Sequence, residues 1–349
     1  MHKLLDRLIN GSSLSRPEAE ELMMHLIESP DQEVMKAVFL TALAVKGETP
    51  EEIAGIACAI KKYSRIGTIP GSTDIVGTGG DMKNTINAST CASIVAASMG
   101  IRIVKHGNRA VTGTFGSADF LARLGYDFSF TREEALARVR QHNFLFIMAP
   151  MYNDSFSKFS STRKKIRIPT IFNIMGPITN PADPERSIIG SVSRDLSDKY
   201  ARVLSTTGKT GMIVTSNDGL DEISMGDVSS VISVMDGIRE EKVDPVKITG
   251  RKIRLSSVQG KSADEIFRKN LMGLYGEDQD CASFIAINTA PALFLNGMAS
   301  DLRDGYEAAL NQINGGYVRD YMDRLFGTRA GGDENGIETG RKDLRNQAL

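Results

Sequence analysis

Several features that define common protein classes are scarce in this chain. Its 349 residues include three cysteines, Cys58, Cys91 and Cys281. They are odd in number and far apart, with neither a Cys-x-x-Cys metal pattern nor a disulfide framework, and this usage fits a reducing compartment. No uninterrupted apolar run approaches the roughly 18 residues that a membrane span needs. Met1 leads into the charged, amphipathic "HKLLDRLINGSSLSRPEAEELMMHLI" and not into an apolar signal segment. An excess of one charge is missing as well: 42 Lys and Arg against 43 Asp and Glu leave a net charge of -1. Nothing global therefore points to nucleic acid or an acidic membrane surface. The expectation is a cytoplasmic protein with neither as partner. Ser-His-Asp order, His-Glu-x-x-His and the Gly-Lys-Ser/Thr of a P-loop are all absent, and GTGGD does not fit the G-x-G-x-x-G dinucleotide fingerprint. What remains is 41% hydrophobic and 24% charged residues, ordinary for a globular protein, at a length that allows a large core and two domains.

Residues 3 to 65 read as helical throughout. "LSRPEAEELMMHLI" offers Ser15 as N-cap and Pro17 in the first turn. "DQEVMKAVFLTALAVKG" places Val34, Ala37, Val38, Ala42 and Val45 at three-and-four spacing, closed by Gly47. "TPEEIAGIACAIKKYS" has Thr49 as cap and Pro50 behind it. From Thr73 the pattern changes to apolar strands alternating with helices. The expected strands are TDIVG, IRIVKHG, LFIMAP, TIFNI, SIIGSV, GMIVTS, VISVMDG and FIAIN, with TREEALARVRQHN and LSDKYARVLSTTG among the helices between them. Such alternation implies a mainly parallel sheet covered on both faces. Ligands of such sheets sit beyond the carboxyl ends of the strands.

Three strand ends carry chemistry. In "DIVGTGGDMKNTINAST", residues 74–90, a strand breaks into Gly77, Gly79 and Gly80 and enters a helix through Asn87, Ser89 and Thr90. Free amides and hydroxyls at a helix N-terminus suit phosphate, and a tight turn with an ordinary cap reads equally well. "KHGNRAVTGTFGSAD" brings Lys105, His106, Asn108 and Arg109 to a second end, either to neutralise phosphate or as a solvated basic loop. "TSNDGLDEIS" sets Asp218, Asp221 and Glu222 at a third, either as hard ligands for Mg²⁺ or as an acidic turn. In "SSTRKKIRIP", Arg163 leads four cations in five residues.

Taken in order and at these separations, GTGGD (77–81), NAST (87–90), KHGNR (105–109), GSAD (116–119), FNIMGPITNP (172–181) and DGLDE (218–222) resemble the anthranilate phosphoribosyltransferases. The resemblance runs from about residue 3 to 325. It implies an α/β protein of the class II nucleoside phosphorylase type. A small N-terminal α-helical domain, 1–70, would be joined by a segment near 155–185. A large α/β domain, 71–327, would bind phosphoribosyl pyrophosphate (PRPP) on a central, mainly parallel sheet flanked by helices. The chain would form a homodimer. Residues 328–349, glycine-rich and charged with little to bury, read separately as a disordered tail. The implied reaction moves the 5-phosphoribosyl group from PRPP to anthranilate in tryptophan biosynthesis, with no dedicated acid or base. The resemblance assigns PRPP to Gly77, Gly79, Gly80, Asp81, Thr85, Asn87, Ser89, Thr90, Lys105, His106, Gly107 and Ser117. It assigns anthranilate to Gly77, Asn108 and Arg163, and two Mg²⁺ ions per subunit to a set including Ser89, Asp221 and Glu222.

The departures fall on the acceptor side. Tyr152, Asn153 and Asp154 stand where the family commonly reads Tyr-His-Pro, at a position that the family turns toward the aromatic substrate, and Phe115 replaces a small residue. They leave open a phosphoribosyltransferase for another aromatic amine. A class II nucleoside phosphorylase would differ at KHGNR. A non-catalytic paralogue would have lost Asp221 and Glu222 and gained a basic groove.

Overall fold

The structure, a computed structural model, describes residues 1–29, 32–79, 83–109 and 115–327. The tail expected at 328–349 lies outside the described residues, as do Gly80 and Asp81. The chain opens with four helices, α1 (His2–Ile9), α2 (Arg16–Glu28), α3 (Glu33–Lys46) and α4 (Pro50–Lys62). Both expected caps are present. Ser15 pairs with Glu18 and Thr49 with Glu52 in capping boxes, each with a proline in the first turn. Glu52 is fully buried, and its carboxylate accepts from the Leu14 amide and the Lys46 ammonium. In α3 the expected apolar face is corrected. Lys36, Phe39, Leu40 and Leu43 turn inward, whereas Val34 and Val45 are 75% and 83% exposed. The helix has two apolar stripes, and spacing alone does not say which one meets the core.

The remainder builds on seven strands: β1 (Thr73–Gly77), β2 (Ile103–Gly107), β3 (Phe144–Met148), β4 (Arg186–Gly190), β5 (Thr210–Ser216), β6 (Ser229–Met235) and β7 (Gly237–Val243). Their order is β3-β2-β1-β4-β5-β6-β7, parallel as far as β5, with β6 and β7 antiparallel. Helix α5 (Ala88–Ser98) joins β1 to β2. Helices α6 (Ser117–Arg123) and α7 (Arg132–His142) lead to β3, and α8 (Ala149–Tyr152) and α9 (Ser157–Ile166) follow it. Helix α10 (Arg194–Thr206) joins β4 to β5, and α11 (Pro245–Thr249) follows β7. Helices α12 (Ala263–Leu274), α13 (Gln279–Leu295), α14 (Leu302–Asn314) and α15 (Tyr317–Phe326) close the described chain.

Side chains alternate across the pleat. Ile75, Ile103, Ile188 and Met212 pack against α5 and the C-terminal helices. Val76, Ile189, Ile213 and Ile232 join the core of the N-terminal bundle and α10. With both faces covered, the middles of these strands carry apolar side chains on both sides. Two expected strands are corrected. FIAIN lies inside the 17-residue α13, because a short apolar run does not by itself distinguish a buried strand from a buried helix. TIFNI forms a 3₁₀ turn over Ile171–Asn173, with Thr170 and Asn173 capping each other. The charged β7 had no apolar signal and was not expected.

An ion triad ties the bundle to the sheet. Asp183 accepts from Lys61 of α4 at 2.8 Å and from Lys209, just before β5, at 3.1 Å. Burial alone would raise the Asp183 carboxyl, and the two ammonium groups outweigh it, holding the pKa below its ordinary value. A depressed folded pKa gives stability that is present above the unfolded pKa of about 4 and is lost as pH falls through the folded value. Asp183→Asn should therefore cost about 1 kcal/mol near neutral pH, with the difference from the parent shrinking below about pH 4. Denaturant melts at both pH values check this, and a pH-independent difference would contradict it.

Candidate active site

Strand order reverses between β1 and β4, and open α/β sheets bind ligands at such a switch point. The two strands end side by side at Gly77 and Gly190, and the Thr78 amide donates to the Gly190 carbonyl at 2.9 Å. The loop after β5 folds over both tips. A Cβ on Gly190 would lie 1.7 Å from the Asp221 carbonyl oxygen, and one on Gly77 would lie 2.5 Å from Asp221 Oδ2. The Gly79 amide, at φ 67°, donates to that same Oδ2 at 2.8 Å. Two glycines thus let a carboxylate 142 residues away lie on the strand ends.

Beside this, Lys105 of β2 is fully buried. Its ammonium donates to the Ile75 carbonyl and, at 3.2 Å, to Ser89 Oγ in the first turn of α5. Burial lowers its pKa to about 8, and Asp74, Glu222 and Asp221 pull the other way. The next residue, His106, was expected among the PRPP ligands, but its ring is committed elsewhere. Nδ1 meets Asp74 Oδ2 at 2.6 Å and Nε2 meets the Gly176 carbonyl at 2.5 Å. Asp74 is also held by Asn180 Nδ2 at 2.8 Å. Among the described residues, the buried hydroxyls of Thr78 and Thr90 have no partner, so two donors remain at these strand and helix ends.

The segment leading into α5 is braced from far along the chain. The Ile86 amide donates to Val258 and the Gly260 amide to Asn84, while Gln259 Nε2 donates to the Lys83 carbonyl at 2.7 Å. Lys269 holds this brace through the Ser257 and Gln259 carbonyls. Thr85 pairs with Gln259 as an isolated bridge, so its backbone belongs to the brace. Asn87, the N-cap of α5, meets Asn270 of α12 and the Phe115 carbonyl. Gly107 lies under Ser117, whose Cβ would be 3.6 Å from a Cβ placed there. Asn108 is exposed at the same end, and its Oδ1 accepts the Arg109 amide. No local pattern in the sequence pointed to Asn270, Gln259 or Lys269.

Arg163 of α9, expected at the anthranilate, is half-buried, with its guanidinium 5.3 Å from the centre of the Phe172 ring. It forms no hydrogen bond or ion pair through its side chain among the described residues. Of the departures from the family pattern, Asp154 is exposed and pairs with Arg65 at 2.5 Å, and the other two are committed to packed structure. Asn153 is buried and donates to the Ile60 carbonyl at 2.8 Å, joining α4 to the segment after β3. The Phe115 ring packs edge-on against Phe120 and Phe267 in the core.

Asp218 separates from the other two carboxylates. It accepts from Ser224 Oγ at 2.6 Å and from the Leu220 amide, and so shapes the turn. Among the described residues no group of three or more His, Cys, Asp and Glu forms a metal cluster. Asp221, Glu222 and the Ser89 hydroxyl provide hard oxygen donors beside unpartnered Thr78 and Thr90 hydroxyls. That set suits an ion that completes its shell with substrate phosphate and water, as Mg²⁺ does.

Residues 70–318 match the α/β domain of a glycosyl transferase family, and residues 2–64 match that family's helical bundle domain. The anthranilate phosphoribosyltransferase of Picrophilus torridus is 43% identical over 92% of this chain and 98% of its own length. That of Thermoplasma acidophilum is 37% identical over 93% and 100%. Among solved structures, anthranilate phosphoribosyltransferase from Thermus thermophilus matches with a TM-score of 0.85 at 29% identity, covering 93% of this chain and 98% of that one. The Saccharomyces cerevisiae protein in complex with PRPP and Mg matches with a TM-score of 0.82 at 26% identity, covering 93% and 96%.

The glycine tips are the most sensitive point of the site. Gly190→Ala sets a methyl against backbone and should cost about 1–3 kcal/mol. It should also displace Asp221, so thermal stability and turnover fall together. A variant with parental melting temperature and turnover would contradict the close approach.

Proposed function

The chain belongs to the anthranilate phosphoribosyltransferases, and from that membership we propose that it transfers the 5-phosphoribosyl group of PRPP to the amine of anthranilate. The products are N-(5-phosphoribosyl)anthranilate and pyrophosphate, in tryptophan biosynthesis. The observation that carries this reading is the buried Lys105 set between Ser89 and the carboxylates of the β1–β4 switch point. A lysine with a pKa of about 8 is still mainly protonated at neutral pH, and an arriving diphosphate favours that form further. The diphosphate would meet the α5 N-terminus, Lys105 and the hydroxyls of Ser89, Thr90 and Ser117. Asp221, Glu222 and Ser89 would hold Mg²⁺, which when bound would supply positive charge against the pyrophosphate leaving group.

Anthranilate carries a carboxylate and an aromatic amine that is neutral near pH 7. Arg163 supplies a half-buried guanidinium for the carboxylate, and Asn108, exposed just after β2, supplies an amide. The amine already has its lone pair, so placement relative to C1 matters more than a strong base. Because Asn153 and Phe115 are turned into packed structure, they give no support to a different amine. The reading extends to two Mg²⁺ ions per subunit, a cytoplasmic setting and a homodimer. The dimer is supported by the apolar stripe that α3 turns outward through Val34 and Val45.

Incubation of the protein with PRPP, Mg²⁺ and anthranilate should quench anthranilate fluorescence. Lys105→Ala should lower kcat/KM for PRPP by about 100-fold or more. Asp221→Asn with Glu222→Gln should abolish turnover, and Arg163→Ala should raise KM for anthranilate by about tenfold or more. Lack of turnover by the parent, or unchanged kcat/KM in these variants, would overturn the reading. For the dimer, Val34→Asp with Val45→Asp should convert it to a monomer by light scattering, and a parent that is already monomeric refutes it.

A further inference from the structure

Asn87 is the residue through which the donor cradle is held together. It caps α5, the helix whose first turn carries Ser89 and Thr90. Its backbone amide donates to Asn270 Oδ1 at 2.8 Å, and Asn270 Nδ2 donates back to Asn87 Oδ1 at 2.7 Å. With its oxygen engaged on that side, Asn87 points its own Nδ2 at the Phe115 carbonyl, 3.1 Å away. Phe115 immediately precedes Gly116 and Ser117, the entry to α6. The orientation of both amides is fixed by this chain. The Asn87 backbone N–H requires an oxygen from Asn270, which leaves the Asn270 nitrogen to face the Asn87 oxygen. Turning either amide over would set donor against donor or acceptor against acceptor.

Asn270 is wholly buried on α12, 183 residues from its partner. A buried amide of this kind needs its hydrogen bonds, and losing one end strands the other. We propose that Asn270 is a positioning residue for PRPP. It fixes the Asn87 amide, which in turn sets the first turn of α5 and the start of α6 at the separation that one diphosphate-bearing ligand spans. This rests on the PRPP reading above. It assigns to Asn87 a connecting role: its side-chain oxygen and one of its two side-chain N–H groups are already committed inside the protein.

The test is a double-mutant cycle on the full-length protein, with PRPP–Mg²⁺ binding measured by calorimetry alongside both KM values. Asn270→Ala should weaken PRPP binding and raise KM for PRPP by about tenfold, while KM for anthranilate stays at the parental value. In an Asn87→Ala background the same change should weaken PRPP binding by much less, because the side-chain link to Phe115 is already gone and only the bond to the residue 87 backbone N–H remains. Asn270→Asp keeps an acceptor for the Asn87 N–H but forces the Asn87 amide to turn over and release Phe115. It should weaken PRPP as Asn270→Ala does, and it serves if the alanine variant fails to fold. Additive effects in the cycle, equal rises in both KM values, or unchanged PRPP binding would each overturn the positioning role. A parent that binds no PRPP would instead overturn the functional reading, and this one with it.

Discussion

The site depends on the backbone contact between the β5–β6 loop and the bare tips of β1 and β4. These neighbouring strands run in register to Gly77 and Gly190, with no side chain standing between them and the loop above. That bareness lets Asp221 reach the Gly79 amide, which fixes one carboxylate where the strand ends open. A bulkier residue on either strand would lift the loop away, and the acidic pair with it. The remaining parts then follow from the parallel sheet: β2 lies next to β1, so Lys105 reaches across to Ile75 and Ser89.

The electrostatics rest on burial. An ammonium without water is costly, and the low pKa of Lys105 records that cost. What keeps the charge in place is a set of acceptors and carboxylates drawn from separate elements: Ile75 and Asp74 on β1, Ser89 on α5, and Asp221 with Glu222 after β5. Charged groups in such surroundings act more strongly on a ligand than they would in water. His106 has a different task. With Asp74, Asn180 and the Gly176 carbonyl it connects the strand tips to the segment that also carries Phe172, over which Arg163 lies.

Much of this was legible in the sequence because it was local. Ser15, Thr49 and Pro50 announce their helices by chemistry that operates within one turn, and TDIVG or GMIVTS announce buried parallel strands by apolar residues that run on without alternating, Ile75 and Val76 in one, Met212, Ile213 and Val214 in the other. The glycine loop, the basic strand end and Asp221 with Glu222 were each readable as pieces. Signals that depend on tertiary context were not. FIAIN could be strand or helix until its neighbours buried it on all sides, and the two apolar stripes of α3 could not be ranked. Asp218 resembled its acidic neighbours, but Ser224 claims it. Phe115 and Asn153 seemed to alter the acceptor pocket, yet the ring packs with Phe120 and Phe267 and the amide joins α4 to the segment after β3. Asn270 lies in an ordinary helical stretch, and only the fold brings it to Asn87.

The long sequence separations within the cradle bear on how the molecule is made. The strand tips and the first turn of α5 are synthesised early, whereas the clasp at Asp221 and the support from residues 257–270 emerge much later. Closing contacts over such distances adds an entropic burden that only the finished fold offsets. A nascent chain halted before the final helices would hold phosphate-shaped fragments with nothing to fix their spacing. Competence for the ligand is therefore a property of the completed polypeptide.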